Sequence, residues 1–222
     1  MNPKAIIFDL DGTLISSLED IANAMNHVLK SNGLPTHDTE KYNYFVGDGV
    51  HNLTIRVMAK DSSTALIEKV KSEYIAYYKE NSMKHTAAYD GITELLHALH
   101  ERNMPICVLS NKPDEETCDI VEKCFPDIKF TFVVGAKEGI PIKPDPTSAM
   151  LLAEALNVAP NEILYVGDTS TDMNTAKGAG MIPTGVLWGF RDLEELMQTG
   201  AKFIAKKPED ILNILDNKGE NE

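Results

Sequence analysis

Residues Phe8 to Leu14 read FDLDGTL, and the run that leads into them, Ala5 to Phe8, is apolar without a break. Four consecutive apolar residues suit a strand buried on both faces, as in a parallel sheet covered by helices. Asp9 and Asp11 follow at once, with Gly12 and Thr13 closing the stretch. Ligands of open α/β sheets bind beyond the carboxyl ends of the strands, so this junction marks a site. Two carboxylates two residues apart pair a group able to attack with one able to move a proton. An acidic surface turn is the alternative at this point.

The pattern recurs along the chain. Ile106 to Leu109 runs into Ser110, Phe130 to Val134 into Gly135, Ile163 to Val166 into Gly167 and Asp168, and Ile182 to Leu187 precedes Gly189. Between these runs, Gly91 to Arg102, Glu115 to Cys124, Thr147 to Leu156 and Thr171 to Gly178 carry apolar residues at helical spacing. Alternating strands and helices predict an α/β fold: a Rossmann-like, mainly parallel sheet flanked by helices.

Residues 15–84 depart from that alternation. They show helical periodicity over Leu18 to Leu29, Val50 to Met58 and Thr64 to Tyr78, and no strand. Turns are expected at Asn32, Gly33 and Pro35 and again at Gly47, Asp48 and Gly49. The expectation is a helical cap domain, 15–84, inserted after the first strand of a catalytic core formed by 1–14 and 85–222. An insertion that leaves and re-enters beside Asp9 and Asp11 is placed to act as a lid. The polar segment Asn217 to Glu222 is expected to fray.

Composition narrows the function classes. The 222 residues are 43% hydrophobic and 25% charged, and no apolar run approaches the roughly 18 residues of a membrane span. The apolar run at the N-terminus is stopped by Asp9, so no signal peptide is read and a cytoplasmic location is expected. A net charge of −13 argues against nucleic acid as a partner. It also means that a phosphorylated ligand needs a local cation or a metal. Cys107, Cys118 and Cys124 are odd in number and lack a C-x-x-C pair, which speaks against a disulfide framework or structural zinc. The histidines show no metal-ligand spacing.

Three more segments fall where the sheet would bring them beside the acid pair. Ser110, Asn111 and Lys112 end one strand, where a hydroxyl and backbone amides could hold phosphoryl oxygens. Lys143 stands before Pro144-Asp145-Pro146, a stiffened loop that could fix a lysine as a point charge. Val166-Gly167-Asp168-Thr169 ends another strand in an acid, with Asp172 four residues on. Each segment taken alone also reads as an ordinary turn, a solvated lysine or a helix cap.

Together, FDLDGTL, LSNK (Leu109 to Lys112), KPDP (Lys143 to Pro146), VGDTSTDMNTAKGAG (Val166 to Gly180) and FVGDGV (Phe45 to Val50) resemble the haloacid dehalogenase-like phosphohydrolases, in particular their phosphoglycolate phosphatase branch. The resemblance spans Lys4 to Leu215. It implies that Asp9 is the nucleophile that forms an aspartyl phosphate, and that Asp11 serves as general acid and then base. It implies a magnesium ion held by Asp9, the backbone carbonyl of Asp11, and Asp168, with Asp172 as ligand or supporting group. Ser110, Asn111, Thr13 and Lys143 are implied phosphate-binding residues, with Lys143 also stabilising the transition state. Gly47, Asp48, Gly49 and Arg56 of the cap are implied to set specificity.

The second acid, Asp11, favours ester cleavage over dehalogenation, because an alkoxide leaving group needs a proton and a halide does not. The expected activity is hydrolysis of a small phosphorylated metabolite, with 2-phosphoglycolate leading. A phosphosugar mutase, a pyrophosphatase or nucleotidase of the same superfamily, and a non-catalytic phospholigand-binding protein are the alternatives; either a monomer or a homodimer fits. Ser16 and Ser17 stand where many relatives have an acid, and Asp90 where they often have proline.

Overall fold

The protein is described by a computed structural model over residues 3–216, so the expected fraying of Asn217 to Glu222 lies outside the described residues. The first strand, β1 (Ala5–Phe8), is followed by a two-residue strand β2 (Ile15–Ser16), then by helices α1 (Leu18–Ser31), α2 (Thr39–Phe45), α3 (Val50–Val57) and α4 (Thr64–Asn81). A second two-residue strand, β3 (Ala87–Ala88), returns the chain to the sheet through α5 (Ile92–Glu101). Alternation then runs β4 (Ile106–Pro113), α6 (Asp114–Cys124), β5 (Phe132–Ala136), α7 (Thr147–Leu156), β6 (Ile163–Gly167), α8 (Ser170–Gly178) and β7 (Ile182–Val186). It closes with α9 (Leu193–Gln198), β8 (Phe203–Ala205) and α10 (Glu209–Leu215).

The main sheet is parallel, ordered β5-β4-β1-β6-β7-β8. Central β1 pairs with β4 on one side and β6 on the other, so its residues are buried on both faces, which is why the run from Ala5 to Phe8 does not alternate. Ile6 and Phe8 face the layer formed by α5, α6 and α10, with Leu96, Ile120 and Ile211. Ala5 and Ile7 face α7 and α8, with Leu152 and Ala176. Such a sheet aligns the carboxyl ends of β1, β4 and β6, which places residues 9, 110 and 168 along one edge.

Sequence expectation and structure differ in several places, and α2, α9, β8 and α10 fall where no element was expected. Strand β4 continues past Leu109 through Ser110, Asn111 and Lys112, because Pro113 still pairs with Ala136 of β5 across a register shift. The strand expected over Phe130 to Val134 begins at Phe132 and ends at Ala136. The insertion does contain strand: β2 and β3 pair antiparallel, Ile15 opposite Ala88, as the two connections between insertion and sheet.

The four inserted helices share an apolar cluster of Ile21, Met25, Leu29, Tyr42, Leu53, Val70 and Tyr74, joined from the core by Phe190. Helix α1 supplies residues 21, 25, 28 and 29, one stripe at helical spacing. Asp20, buried in its first turn, accepts the His85 and Thr86 N–H groups and the Thr86 hydroxyl, all at 2.8–2.9 Å. That carboxylate ties the outgoing connection to the returning one. Among the described residues no helix is long and apolar enough to cross a membrane.

Candidate active site

Strand β1 delivers Asp9 to the edge of the sheet, where its N–H donates to the Val166 carbonyl at 2.9 Å. Its Oδ1 accepts from the Leu10 N–H and from Lys143 Nζ, each at 2.7 Å. Among the described residues both of these donors go to Oδ1 and none to Oδ2, which is left open toward the site. Burial raises the Asp9 carboxyl well above the usual carboxylate range; Asp172 and Asp168 add to this and Lys143 opposes it.

Lys143 lies in the loop before α7 and is only 2% exposed. Its Nζ bridges Asp9 Oδ1 and, at 2.8 Å, Asp172 Oδ1. Burial alone would push a lysine down, but Asp172 and Asp9 outweigh it and hold Lys143 charged well above its ordinary range. Asn111 fixes the loop: its Oδ1 accepts the Lys143 N–H at 2.8 Å and its Nδ2 donates to the Lys143 carbonyl at 2.9 Å. The same Nδ2 lies 3.2 Å from the Gly47 carbonyl of the insertion. The Asn111 side chain thus positions Lys143 and the insertion loop, rather than standing free for phosphate as the sequence suggested.

Asp168 ends β6. Its Oδ1 accepts from the Thr13 hydroxyl at 3.1 Å and its Oδ2 from the Phe190 N–H at 2.8 Å. Thr13, expected to bind phosphate, instead directs its hydroxyl at this acid, and its carbonyl accepts from Trp188 Nε1 at 2.9 Å. Two glycines make the approach possible. A Cβ on Gly12 (φ +84) would lie 2.3 Å from Asp168 Oδ2, and one on Gly189 would lie 2.3 Å from Asp168 Cβ. Asp172, in the first turn of α8, accepts the Thr169 N–H and hydroxyl on Oδ2 and Lys143 on Oδ1. It both caps its helix and fixes the lysine.

Asp9, Asp168 and Asp172 are buried, with one oxygen of each within 4.8 Å of the others. Burial, then Asp172, raises Asp168 to about 7. Three buried carboxylates facing one buried ammonium leave a deficit of positive charge, and all their donors are hard oxygens. This set fits a divalent cation such as magnesium, which prefers carboxylate oxygen and retained water.

Asp11 points the other way, toward the insertion. Its Oδ1 accepts from the Ser17 hydroxyl at 2.5 Å, and its Oδ2 lies 3.5 Å from Lys112 Nζ. Lys112, whose side chain is 6% exposed, also donates to the Tyr78 hydroxyl at 2.9 Å and sits over that ring. Asp9, Asp11, Ser110 and Asn111 line a cavity closed on its far side by Val46, Gly47, Val50, Leu53, Tyr74 and Tyr78 of the insertion. The cavity encloses about 640 Å³, part of it open to solvent. Glu116 of α6 also lines it.

The expected cap residues divide. Gly47 and Gly49 line the cavity; Arg56 and Asp48 do not, because the Arg56 guanidinium is bound to both Asp48 oxygens and the Phe45 carbonyl. Sequence reasoning overlooked Lys112, Tyr78 and Glu116 as parts of the site. Lys112 stood inside a noted motif; the other two gave no local signal, since only tertiary packing brings them to the acid pair. It also missed Arg191, which donates to the Val46 carbonyl at 3.0 Å and pairs with Glu195, latching the insertion loop to the core.

Residues 6–186 match the family model for the haloacid dehalogenase-like hydrolases. A phosphoglycolate phosphatase of Aquifex aeolicus (strain VF5) is 32% identical, with 96% of this chain and 97% of that protein aligned. One from Chromobacterium violaceum is 28% identical over the same shares. A crystal structure from Lactobacillus delbrueckii subsp. bulgaricus superposes with a TM-score of 0.92 at 27% identity, covering 97% of this chain and 99% of the other.

Proposed function

The chain belongs to the haloacid dehalogenase-like hydrolases, and from that premise we propose a magnesium-dependent phosphatase that hydrolyses a small phosphate monoester through an aspartyl phosphate. Asp9 attacks phosphorus with the open Oδ2, while Lys143 on Oδ1 keeps the carboxylate oriented. Asp11, set at the mouth of the cavity, protonates the departing alkoxide and later takes a proton from the hydrolytic water. The Ser110 hydroxyl, which accepts the Lys112 N–H at 3.1 Å, has its own proton to give a phosphoryl oxygen. Asp9, Asp168 and Asp172, with the Asp11 carbonyl, would hold the magnesium ion, which supplies charge neutralisation for an anionic nucleophile meeting an anionic ester. Residues 15–84 serve as the cap domain over this reaction, and the remainder as its catalytic core.

The observation that carries this reading is the division of the acid pair: Asp9 bound to the buried lysine, Asp11 facing the cavity under the insertion. A binding protein needs no such pair. The curated relatives are named for phosphoglycolate, which makes 2-phosphoglycolate the first ester to assay. Release of p-nitrophenol from its phosphate, with magnesium and with EDTA, tests the activity; absence of metal-dependent release refutes it. Asp9→Asn is expected to abolish both turnover and acid-stable phosphate incorporation, and incorporation that survives in Asp9→Asn overturns the assignment of the nucleophile.

A further inference from the structure

The cavity beneath the insertion has one cation in its lining. Among the described residues that line it, Lys112 is the single lysine, and no arginine or histidine joins it. Its side chain is buried, with Nζ donating to the Tyr78 hydroxyl at 2.9 Å, resting 4.3 Å from the centre of that ring, and lying 3.5 Å from Asp11 Oδ2. An ammonium has three protons, and these contacts direct at most two of them. Glu116, in the same lining, forms no ion pair with Lys112, and burial raises its own carboxyl above the usual range.

We infer that Lys112 is a specificity-determining residue that binds a carboxylate on the leaving alcohol, so that the enzyme prefers short phosphate esters carrying a carboxylate close to the ester oxygen. This rests on the phosphatase reading and names the substrate class for it. In that reading Asp11 carries a proton when the ester binds, which removes the negative charge nearest Lys112. A buried ammonium whose nearest partners are neutral is costly, and an anionic substrate offsets that cost. Two distances limit the length of the ester. The leaving oxygen must meet Asp11, and Asp11 lies beside Lys112, so whatever the ammonium holds is a few bonds from that oxygen. Ser110 and Lys112, both in the lining and two residues apart on β4, stand only about 7 Å apart along an extended chain. Val46, Val50 and Leu53 close the space beyond with no donor for the hydroxyls of a longer polar alcohol.

The test compares 2-phosphoglycolate with its amide, carbamoylmethyl phosphate, which matches it in size and also leaves as an alkoxide but lacks the second charge. Wild type with magnesium is expected to favour the acid in kcat/KM by about ten- to a hundredfold, the worth of one charge-assisted hydrogen bond. The difference should lie in KM, because the carboxylate is the same in bound substrate and transition state. Lys112→Met, which keeps length and loses charge, should bring the ratio of the two constants near one, and Lys112→Arg should keep the preference for the acid. Any effect of these substitutions on Asp11 falls on both esters and cancels in the ratio. A wild type that does not distinguish the esters, or a Lys112→Met that still prefers the acid, overturns the inference; the wild-type comparison does so even if the variant fails to fold. Metal-dependent release of p-nitrophenol alongside either result leaves the phosphatase intact, and its absence from wild type overturns both.

Discussion

Removing Lys143 tests whether this site is built around an excess of negative charge. Its Nζ lies 2.7 Å from Asp9 and 2.8 Å from Asp172, and both acids are buried. At an effective dielectric constant of about 20, Coulomb's law gives each contact roughly 6 kcal/mol before the cost of taking the charges from water is subtracted. Breaking a buried pair from one side costs about 3–5 kcal/mol in measured cases, because the remaining charge is left unpaired. Lys143→Met keeps most of the side-chain volume, so the loss is electrostatic rather than a cavity. Metal-free Lys143→Met should therefore lose about 3–5 kcal/mol in urea unfolding, a large share of the roughly 5–15 kcal/mol that holds a typical domain. Combining it with Asp9→Asn removes one of the stranded anions, so the double variant should be more stable than the sum of the singles by about 1–3 kcal/mol. Additive losses, or a Lys143→Met that unfolds within about 1 kcal/mol of wild type in EDTA, would refute the charge-deficit account.

Four further outcomes follow from the same geometry. Gly12→Ala forces a Cβ into Asp168 at a positive φ, so it should cost more than about 1 kcal/mol in urea unfolding and weaken magnesium binding in a calorimetric titration. Asp11→Asn should slow hydrolysis of alkyl phosphates by about 10²–10⁴-fold, whereas p-nitrophenyl phosphate, whose leaving group needs no proton, should give a rapid burst of p-nitrophenol followed by slow turnover, because the phosphoenzyme has lost the base for its hydrolytic water; burst-phase kinetics would show this. Arg191→Ala frees the Val46 carbonyl, and amide exchange at Gly47 and Gly49 should quicken about tenfold while β1 stays protected, since a hydrogen bond from a charged donor is worth about 1.5–3 kcal/mol. Burial pushes the Cys107 thiol up to about 12, so iodoacetamide followed by mass spectrometry should label exposed Cys118 in the native protein and Cys107 only after unfolding.

The parts of the fold legible in the sequence are those where burial is symmetric. Ala5 to Phe8 and Ile163 to Val166 are covered on both faces, so every position is apolar and the run itself announces the strand. Strand β4 was read short because its last residues, Ser110 to Lys112, are chosen for what they hold rather than for how they pack. Strands β2 and β3 have two residues each and β8 three, too few for any period to register. The site divides in the same way. Asp9, Asp11, Lys143 and Asp168 stand at strand ends or beside prolines, positions visible in one dimension. Glu116 and Tyr78 lie mid-chain on helices and acquire meaning only when α4 and α6 meet over the acid pair. Arg56 misled for the converse reason: a guanidinium on a surface helix reads as available until Asp48, eight residues earlier, is seen to occupy it.

The two paired strands β2 and β3, with Asp20 clasping residues 85 and 86 beside them, have a consequence for descent as well as for motion. All covalent traffic between the insertion and the sheet passes through one narrow doorway, and the doorway is held by backbone pairing and one acid rather than by the residues that do chemistry. A different set of helices could be spliced in at that doorway without disturbing the register of β1 against β4 and β6. Mutations that retune the wall around the alcohol and mutations that retune the reacting acids therefore fall in separate stretches of gene. A lineage can explore new substrates while its reaction is held fixed.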